Sequence, residues 1–335
     1  MDNYNSGNEL KPTITVIIPC YNAETTIERT LDSLSKQTYR SFELLIINDG
    51  SKDNSNKIIE SYLKNSNFNY RYIDQKNAGV SIARNVGLAN ARGRFITFLD
   101  ADDIYHPYFL EILSEAVTID DIDTAYCCYS RNVEKLLNDT RVKPERKNVH
   151  KDRKSLMLSF MYRRGPCAFF SFIYKKSILE NNNITFTENS KYGEDLEFTW
   201  KYLTHCEKGS FVDIPLYGYY NNPTSVMNNI TWRVTDALCS VKRVEDYLEF
   251  NNIEFYYTYH NYMFDRTLLA LLKDFSKFGR RDLFLKLITK FDTKDSMRSL
   301  VNKSPNYLVK LSALIFCMNQ KLFYHIIKKI HHKRT

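Results

Sequence analysis

In Phe95-Ile96-Thr97-Phe98-Leu99-Asp100-Ala101-Asp102-Asp103, five residues, four of them apolar, run straight into three carboxylates. A short apolar run of this kind reads as a strand buried on both faces, as in a parallel sheet. Ligands of open α/β sheets bind outside the carboxyl ends of the strands. Acids at the end of a buried strand are costly unless a cation neutralises them. Mg²⁺ and similar hard cations take carboxylate oxygen and are commonly shared with substrate phosphates. The stretch therefore reads as a metal–phosphate site, or alternatively as a solvated acidic loop that caps a following helix.

Working outward, Ile14 to Ile18 is a β-branched run that ends at Pro19, so a first strand is expected to stop there. After the loop Cys20-Tyr21-Asn22-Ala23-Glu24, Thr25 or Thr26 is placed to cap a helix carrying Ile27, Leu31 and Leu34. Phe42 to Ile47 reads as a second buried strand, closed by the turn Asn48-Asp49-Gly50-Ser51. A helix over Asp53 to Lys64, a strand over Tyr70 to Ile73 and a helix over Val80 to Ala91 complete the alternation. Such β-α-β order implies a mostly parallel sheet with right-handed crossovers. Three polar strand ends then share one edge: Tyr21 to Glu24, Asp49 to Asp53, and Asp100 to Asp103. Neither a Gly-x-Gly-x-x-Gly nor a Gly-x-x-x-x-Gly-Lys-[Ser/Thr] follows any strand. A dinucleotide-binding Rossmann site and a P-loop are thereby disfavoured.

The 335 residues suffice for one large α/β domain and something smaller, and 43% apolar content supports a substantial core. Met1 to Pro12 has neither a basic region nor an apolar core, so no signal peptide is expected. Seven cysteines without framework spacing point to reduced thiols in a cytosolic setting, with Cys20, Cys127 and Cys128 as small core residues. No Cys-x-x-Cys or His-Glu-x-x-His exists to suggest zinc. The net charge of +8 is concentrated: Ser296 to Thr335 holds Arg298, Lys303, Lys310, Lys321, Lys328, Lys329, Lys333 and Arg334 and no acid. A neutral body with a basic tail argues against a general nucleic-acid binder and for an attachment end.

Five motifs in order, Pro19-x-Tyr21-Asn22-x-Glu24, Asn48-Asp49-Gly50-Ser51-x-Asp53, Asn77-x-Gly79-x-x-x-Ala83-Arg84-Asn85-x-Gly87, Asp100-Ala101-Asp102-Asp103 and Gly193-Glu194-Asp195, resemble the family-2 inverting glycosyltransferases of GT-A fold. The likeness covers about residues 1–225 and implies a GT-A domain there, with a helical C-terminal region over 226–335. It implies a UDP-sugar donor bound by Pro19, Tyr21, Glu24, Asp49, Arg84, Asp100 and Ala101, with Mn²⁺ or Mg²⁺ on Asp102. Asp49 would accept a hydrogen bond from the uracil ring, although a turn-capping aspartate has the same sequence signature. Arg84 would reach the diphosphate or base, or else pack against the sheet. Asp103 is expected to cap a helix opening near Pro107. An inverting transfer needs one general base for the acceptor hydroxyl. The resemblance assigns this role to Asp195 at the start of a helix and gives Glu194 a positioning or acceptor-binding role. The family pattern departs at Tyr219-Tyr220-Asn221-Asn222-Pro223-Thr224-Ser225, where Asn221 replaces an arginine that would meet the diphosphate.

In the acceptor-side region, Tyr126 to Tyr129 reads as a strand, Arg131 to Lys154 as a hairpin or loop, Arg163 to Pro166 as a turn, and Phe169 to Leu179 as a strand–helix step. Beyond Val226 helices are expected over Thr235 to Phe250, His260 to Phe278, Arg280 to Phe291 and Leu308 to Ile330. In the last, Leu308, Leu311, Ile315, Met318, Leu322, Ile326 and Ile330 form one stripe among lysines. That pattern suits a helix lying on an anionic membrane or a docked domain helix. The resulting expectation is transfer of a hexose or N-acetylhexosamine from a UDP-sugar to a surface-glycan hydroxyl, on an acceptor that is lipid-linked. Its setting would be cytoplasmic, peripheral on the inner face of the membrane. Two other classes remain: a GT-A-like sugar nucleotidyltransferase, which would want Gly and Lys in the Cys20 to Glu24 loop, and a non-catalytic nucleotide-binding protein at the membrane, which would not need all four of Asp49, Asp100, Asp102 and Asp195.

Overall fold

The computed structural model describes residues 13–119, 121–138, 143–145, 148–162, 168–220 and 230–332. The chain forms two compact units, one comprising Met1–Asn189 with Phe198–Asn222, the other Ser190–Glu197 with Pro223–Thr335. The Gly193-Glu194-Asp195 segment clusters with the helical unit.

In the first unit, strands β1 (Ile14–Cys20), β2 (Phe42–Asn48), β3 (Tyr70–Asp74) and β4 (Phe95–Phe98) pair in parallel in the order β3-β2-β1-β4. Between them run helices α1 (Ile27–Ser35), α2 (Ser55–Lys64) and α3 (Val80–Asn90). The sheet continues through β8 (Phe172–Lys175), β6 (Thr124–Ser130), β9 (Lys208–Gly218) and the two-residue β5 (Ile104–Tyr105), with β7 (Asn148–Asp152) on β9. β8, β5 and β7 run antiparallel to their neighbours, so the sheet is mixed but mostly parallel, as expected. Every residue of β1, β2 and β4 is buried. On one face the Phe98 ring meets Phe169, Tyr174, Phe186 and Phe198 at 5.3–5.9 Å between centroids.

Three local expectations are corrected. β1 does not stop before Pro19 but runs through it to Cys20. Ile17 accepts from Leu99 on the β4 side, so Pro19, two residues on, also faces β4, whose pairing with β1 has ended at Ile17–Phe98. Its missing N–H costs no ladder bond there. Arg131 to Lys154 is not simply a loop, since it contains helix α5 (Val133–Asn138), strand β7 and the start of helix α6 (Arg153–Met161). The expected turn at Arg163 to Pro166 lies outside the described residues. Asp103 caps no helix. Helix α4 (Phe109–Ile119) is instead tied by Gln37, whose amide oxygen accepts from Leu110 N–H and whose amide nitrogen donates to His106 C=O. Helix α7 (Lys176–Asn181) follows β8 as anticipated, and helix α8 (Glu194–His205) precedes β9.

The second unit is helical: α9 (Asp236–Asn251), α10 (Ile253–His260), α11 (Met263–Lys277), α12 (Arg281–Lys290), α13 (Thr293–Lys303), α14 (Tyr307–Met318) and α15 (Gln320–His332). α11, with Leu268, Leu269, Leu272 and Phe275 buried, packs against α9, α12, α13 and α15. α10 and α13 were not anticipated, and the single helix expected over Leu308 to Ile330 is two. Asn319 breaks it in an extended conformation (φ −157°, ψ 106°), and its side chain accepts from Leu322 N–H to start α15. The break lets Phe316 and Phe323 both enter the core, 5.4 Å apart.

Candidate active site

The carboxyl ends of β1, β2 and β4 are stitched into one edge. The loop after β1 is tied to the loop after β2 by Asn22 N–H to Ser51 Oγ (3.0 Å), Ala23 N–H to Ser55 Oγ (2.8 Å), Glu24 N–H to Asp53 Oδ2 (3.0 Å) and Lys52 N–H to Asn22 Oδ1 (2.8 Å). Glu24 returns its carboxylate to Asn54, accepting from backbone and side chain at 3.0 Å. Tyr21 is left 47% exposed at this edge, while Pro19 is buried inside β1. Burial pushes the Cys20 thiol up to about 12, so it stays a neutral core group.

Asp49 is only 3% exposed, and both carboxylate oxygens are occupied. Oδ1 accepts from Gln75 Nε2 and Ala78 N–H at 2.8 Å, and Oδ2 from Gly79 N–H (2.8 Å) and Asn77 Nδ2 (3.2 Å). Asp49 thus shapes the turn that opens α3. Gly50 beside it adopts φ +69°, and a Cβ there would sit 2.7 Å from Asn77 N. Arg84 on α3 is buried, donates to Asp100 Oδ1 at 3.0 Å and lies over the Phe169 ring at 4.4 Å. This ion pair with the acidic loop is a contact that neither of its two expected roles, reaching the diphosphate or base and packing against the sheet, had named.

The acidic loop is held from α1 through its backbone. Arg29 Nη2 donates to Asp102 C=O (2.8 Å), and Thr30 Oγ1 donates to the Ala101 (3.1 Å) and Asp103 (2.8 Å) carbonyls. Ala101 and Asp102 are half-buried. Asp103 is buried, accepting from Tyr217 O–H (2.7 Å) and Tyr220 N–H (2.8 Å), which fixes β9 to the loop. Burial first, then the Asp100 and Asp102 charges, push its carboxyl up to about 8. Arg29, Thr30, Gln75 and Tyr217 were missed in the sequence, and Tyr220 entered only as part of the Tyr219 to Ser225 stretch. Only Arg29, a cation one helical turn beyond the Glu24 loop, carried a signal that could have flagged it, and its guanidinium stacks 3.5 Å from the Tyr220 ring centroid. The Asn221 to Ser225 departure lies outside the described residues.

These carboxylates fit a hard divalent cation. Asp100, Asp102 and Asp103 share one loop, with Asp102 half-buried, and no group of three or more His, Cys, Asp or Glu among the described residues surrounds a metal unaided. That donor set suits an ion completed by substrate phosphates.

In the helical unit, Gly193 adopts φ +85°, and a Cβ there would meet Ser240 at 3.0 Å and the Ala237 Cα at 3.2 Å. Arg243 on α9 secures the segment, donating to Glu197 (2.8 Å), Ser190 Oγ (3.1 Å) and Ser240 Oγ (2.9 Å), and Ser240 donates to Tyr192 C=O. Glu197, 1% exposed, is therefore a structural ion-pair partner. Glu194 is buried and Asp195 half-buried in the first turn of α8.

A mostly parallel sheet whose carboxyl edge gathers these three polar loops defines an α/β domain of GT-A type. Residues 15–182 of the 335 match the model described as Glycosyl transferase family 2, and the chain belongs to that family. It is similar to the uncharacterized glycosyltransferase YibD of Escherichia coli (strain K12), at 32% identity over 226 residues, 66% of this chain and 64% of that relative, so the match spans less than two thirds of the relative's length. Among solved structures it resembles S. aureus TarS 1-349 in complex with UDP-GlcNAc (TM-score 0.62, 20% identity, covering 96% of this chain and 92% of that one). It also resembles the mannosyltransferase PcManGT of Pyrobaculum calidifontis in complex with GDP-Man and Mn²⁺ (TM-score 0.54, 14% identity, 96% and 85%). Both likenesses establish the GT-A fold.

Proposed function

We propose that the chain transfers a hexose or N-acetylhexosamine from a UDP-sugar to a hydroxyl of a lipid-linked surface-glycan acceptor, with inversion at the anomeric carbon. The observation that carries this reading is the convergence of the Tyr21–Glu24, Asn48–Asp53 and Asp100–Asp103 loops at one sheet edge. The UDP-GlcNAc and Mn²⁺ complexes of the two structural neighbours support a nucleotide-sugar donor and a divalent ion. In this reading Tyr21 covers the nucleobase, and Asp49, its two oxygens already taken by the Gln75–Gly79 turn, holds that turn against the base rather than bonding the base itself. Arg84, paired with Asp100, holds it in place beside the ribose, next to Ala101. Asp102 would hold Mn²⁺ or Mg²⁺, and the ion would supply positive charge to offset that of the departing diphosphate. Arg29 supplies the cation that Asn221 lacks.

At the acceptor, the attacking hydroxyl gives its proton to the Asp195 carboxylate as its oxygen bonds to the anomeric carbon, and the bond to the diphosphate oxygen breaks, releasing UDP. The helix N-terminus favours the charged carboxylate that this needs. Glu194, being buried, positions rather than reacts. UDP release from a panel of UDP-sugars, with an alcohol acceptor, tests this. One donor should turn over with Mn²⁺, and Asp195→Asn should lose about 10²–10⁴-fold in kcat, the usual contribution of a general base. Equal turnover in Asp195→Asn would remove the base assignment.

A further inference from the structure

We infer that the outer face of α14, with its basic surround, docks on the surface of an anionic lipid membrane. At 100° per residue Tyr307, Leu308, Leu311, Leu314, Ile315 and Met318 occupy one sector of about 120°, and the opposite sector carries Val309, Ala313 and Phe316 into the core. Five of those six are exposed, among them Tyr307 at 73%, Leu308 at 69% and Met318 at 75%. Isolated exposed apolar residues are ordinary, but an entire helix face of them marks an interaction surface. α15, next in the chain, also leaves Leu322 and Ile330 exposed, beside Lys321 and Lys329 in sequence.

Charge decides the occupant. From Ser296 onward the sequence contains eight Lys or Arg and no acid. Lys294 on α13 also lies close enough to α14 to act on the Cys317 thiol, whereas Arg298 beside it is paired with Asp295. A second copy seated on this face would set like charges against each other, whereas phosphate headgroups complement them. The other exposed apolar cluster, Phe250, Ile253 and Tyr257, shows the contrast, since Asp246, Glu249 and Glu254 surround it in sequence and give it no such complement. No described helix is long and apolar enough to cross a membrane, so the contact is one of lying on the interface.

Co-sedimentation of the full chain with vesicles tests the assignment. Binding is expected to vesicles of mixed phosphatidylglycerol and phosphatidylcholine, weakly or not at all to phosphatidylcholine alone, and is expected to fall as salt is raised from about 0.1 to 0.5 M. Leu311→Glu with Met318→Glu should weaken it about tenfold or more, because both the apolar burial and the charge match are lost. Phe250→Glu with Ile253→Glu should leave it unchanged. Since all four positions are exposed, melting curves should show both pairs folded. Absence of wild-type binding, or equal binding by the Leu311/Met318 pair, would overturn the proposal. So would a wild-type dimer that this pair converts to monomer, which would give the face to a second copy. UDP release in solution by the same variant separates this outcome from the fate of the transfer reading, on which the docking surface does not depend.

Discussion

Asp103 carries the clearest electrostatic consequence of the acidic loop. In the folded chain without bound cation it keeps its proton up to about pH 8, whereas in the unfolded chain it loses it near 3.8. Between those values the folded state binds the extra proton, so stability is fully present at low pH and declines as pH rises toward 8. Thermal melts in EDTA should show this decline, and Asp103→Asn should flatten it; a wild-type melting profile unaffected by that substitution would contradict the burial argument. At Arg29, the guanidinium stacked on Tyr220 and bonded to the Asp102 carbonyl predicts a different signature. Arg29→Ala should raise KM for the donor about tenfold, the loss of roughly one charge-assisted hydrogen bond, with kcat falling as well. These partners were invisible in the sequence for a simple reason. Arg29 reaches Asp102 across 73 positions and Tyr217 reaches Asp103 across 114, and only the fold brings them together. The acids themselves stood out because three carboxylates after a buried strand violate the ordinary cost of burying charge.

At the scale of elements, the strands were legible because β-branched and apolar runs admit few alternatives. β1, β2, β3 and β4 begin at the residues the pattern indicates, and Pro19 misled only because its direction within the ladder depends on where β4 ends. Helix ends in the second unit were less legible. The Leu308 to Ile330 stripe has an unbroken helical period, yet Asn319 stops it, and the residues that pack are Phe316, Phe323 and Tyr324 rather than the stripe. Phe316, fully buried against Phe284 and Phe323, should cost about 3–5 kcal/mol on truncation to Ala, read by chemical denaturation. Gly193 makes an equally specific demand. Gly193→Ala places a Cβ 3.0 Å from Ser240 at φ +85°, and should destabilise the Gly193–Asp195 turn by about 1–3 kcal/mol while lowering activity. An alanine variant with wild-type melting and turnover would show that the turn has room the structure denies.

Over the whole molecule, the two units divide the proposed labour: the parallel sheet edge holds the donor-side residues, and the helical unit carries the Gly193-Glu194-Asp195 segment and the basic apolar face. Family membership follows from the first unit, whereas donor, acceptor and metal are readings of its edge. The reading turns on whether that edge takes a nucleoside diphosphate together with a divalent ion. Calorimetric titration of UDP into wild type and Asp102→Asn, each with Mn²⁺ and with EDTA, addresses it directly. Wild type should bind UDP with Mn²⁺, about tenfold or more weaker in EDTA, and Asp102→Asn should show the weak binding under both conditions. UDP binding that ignores both the metal and the Asp102 substitution, or no binding at all, would contradict the account.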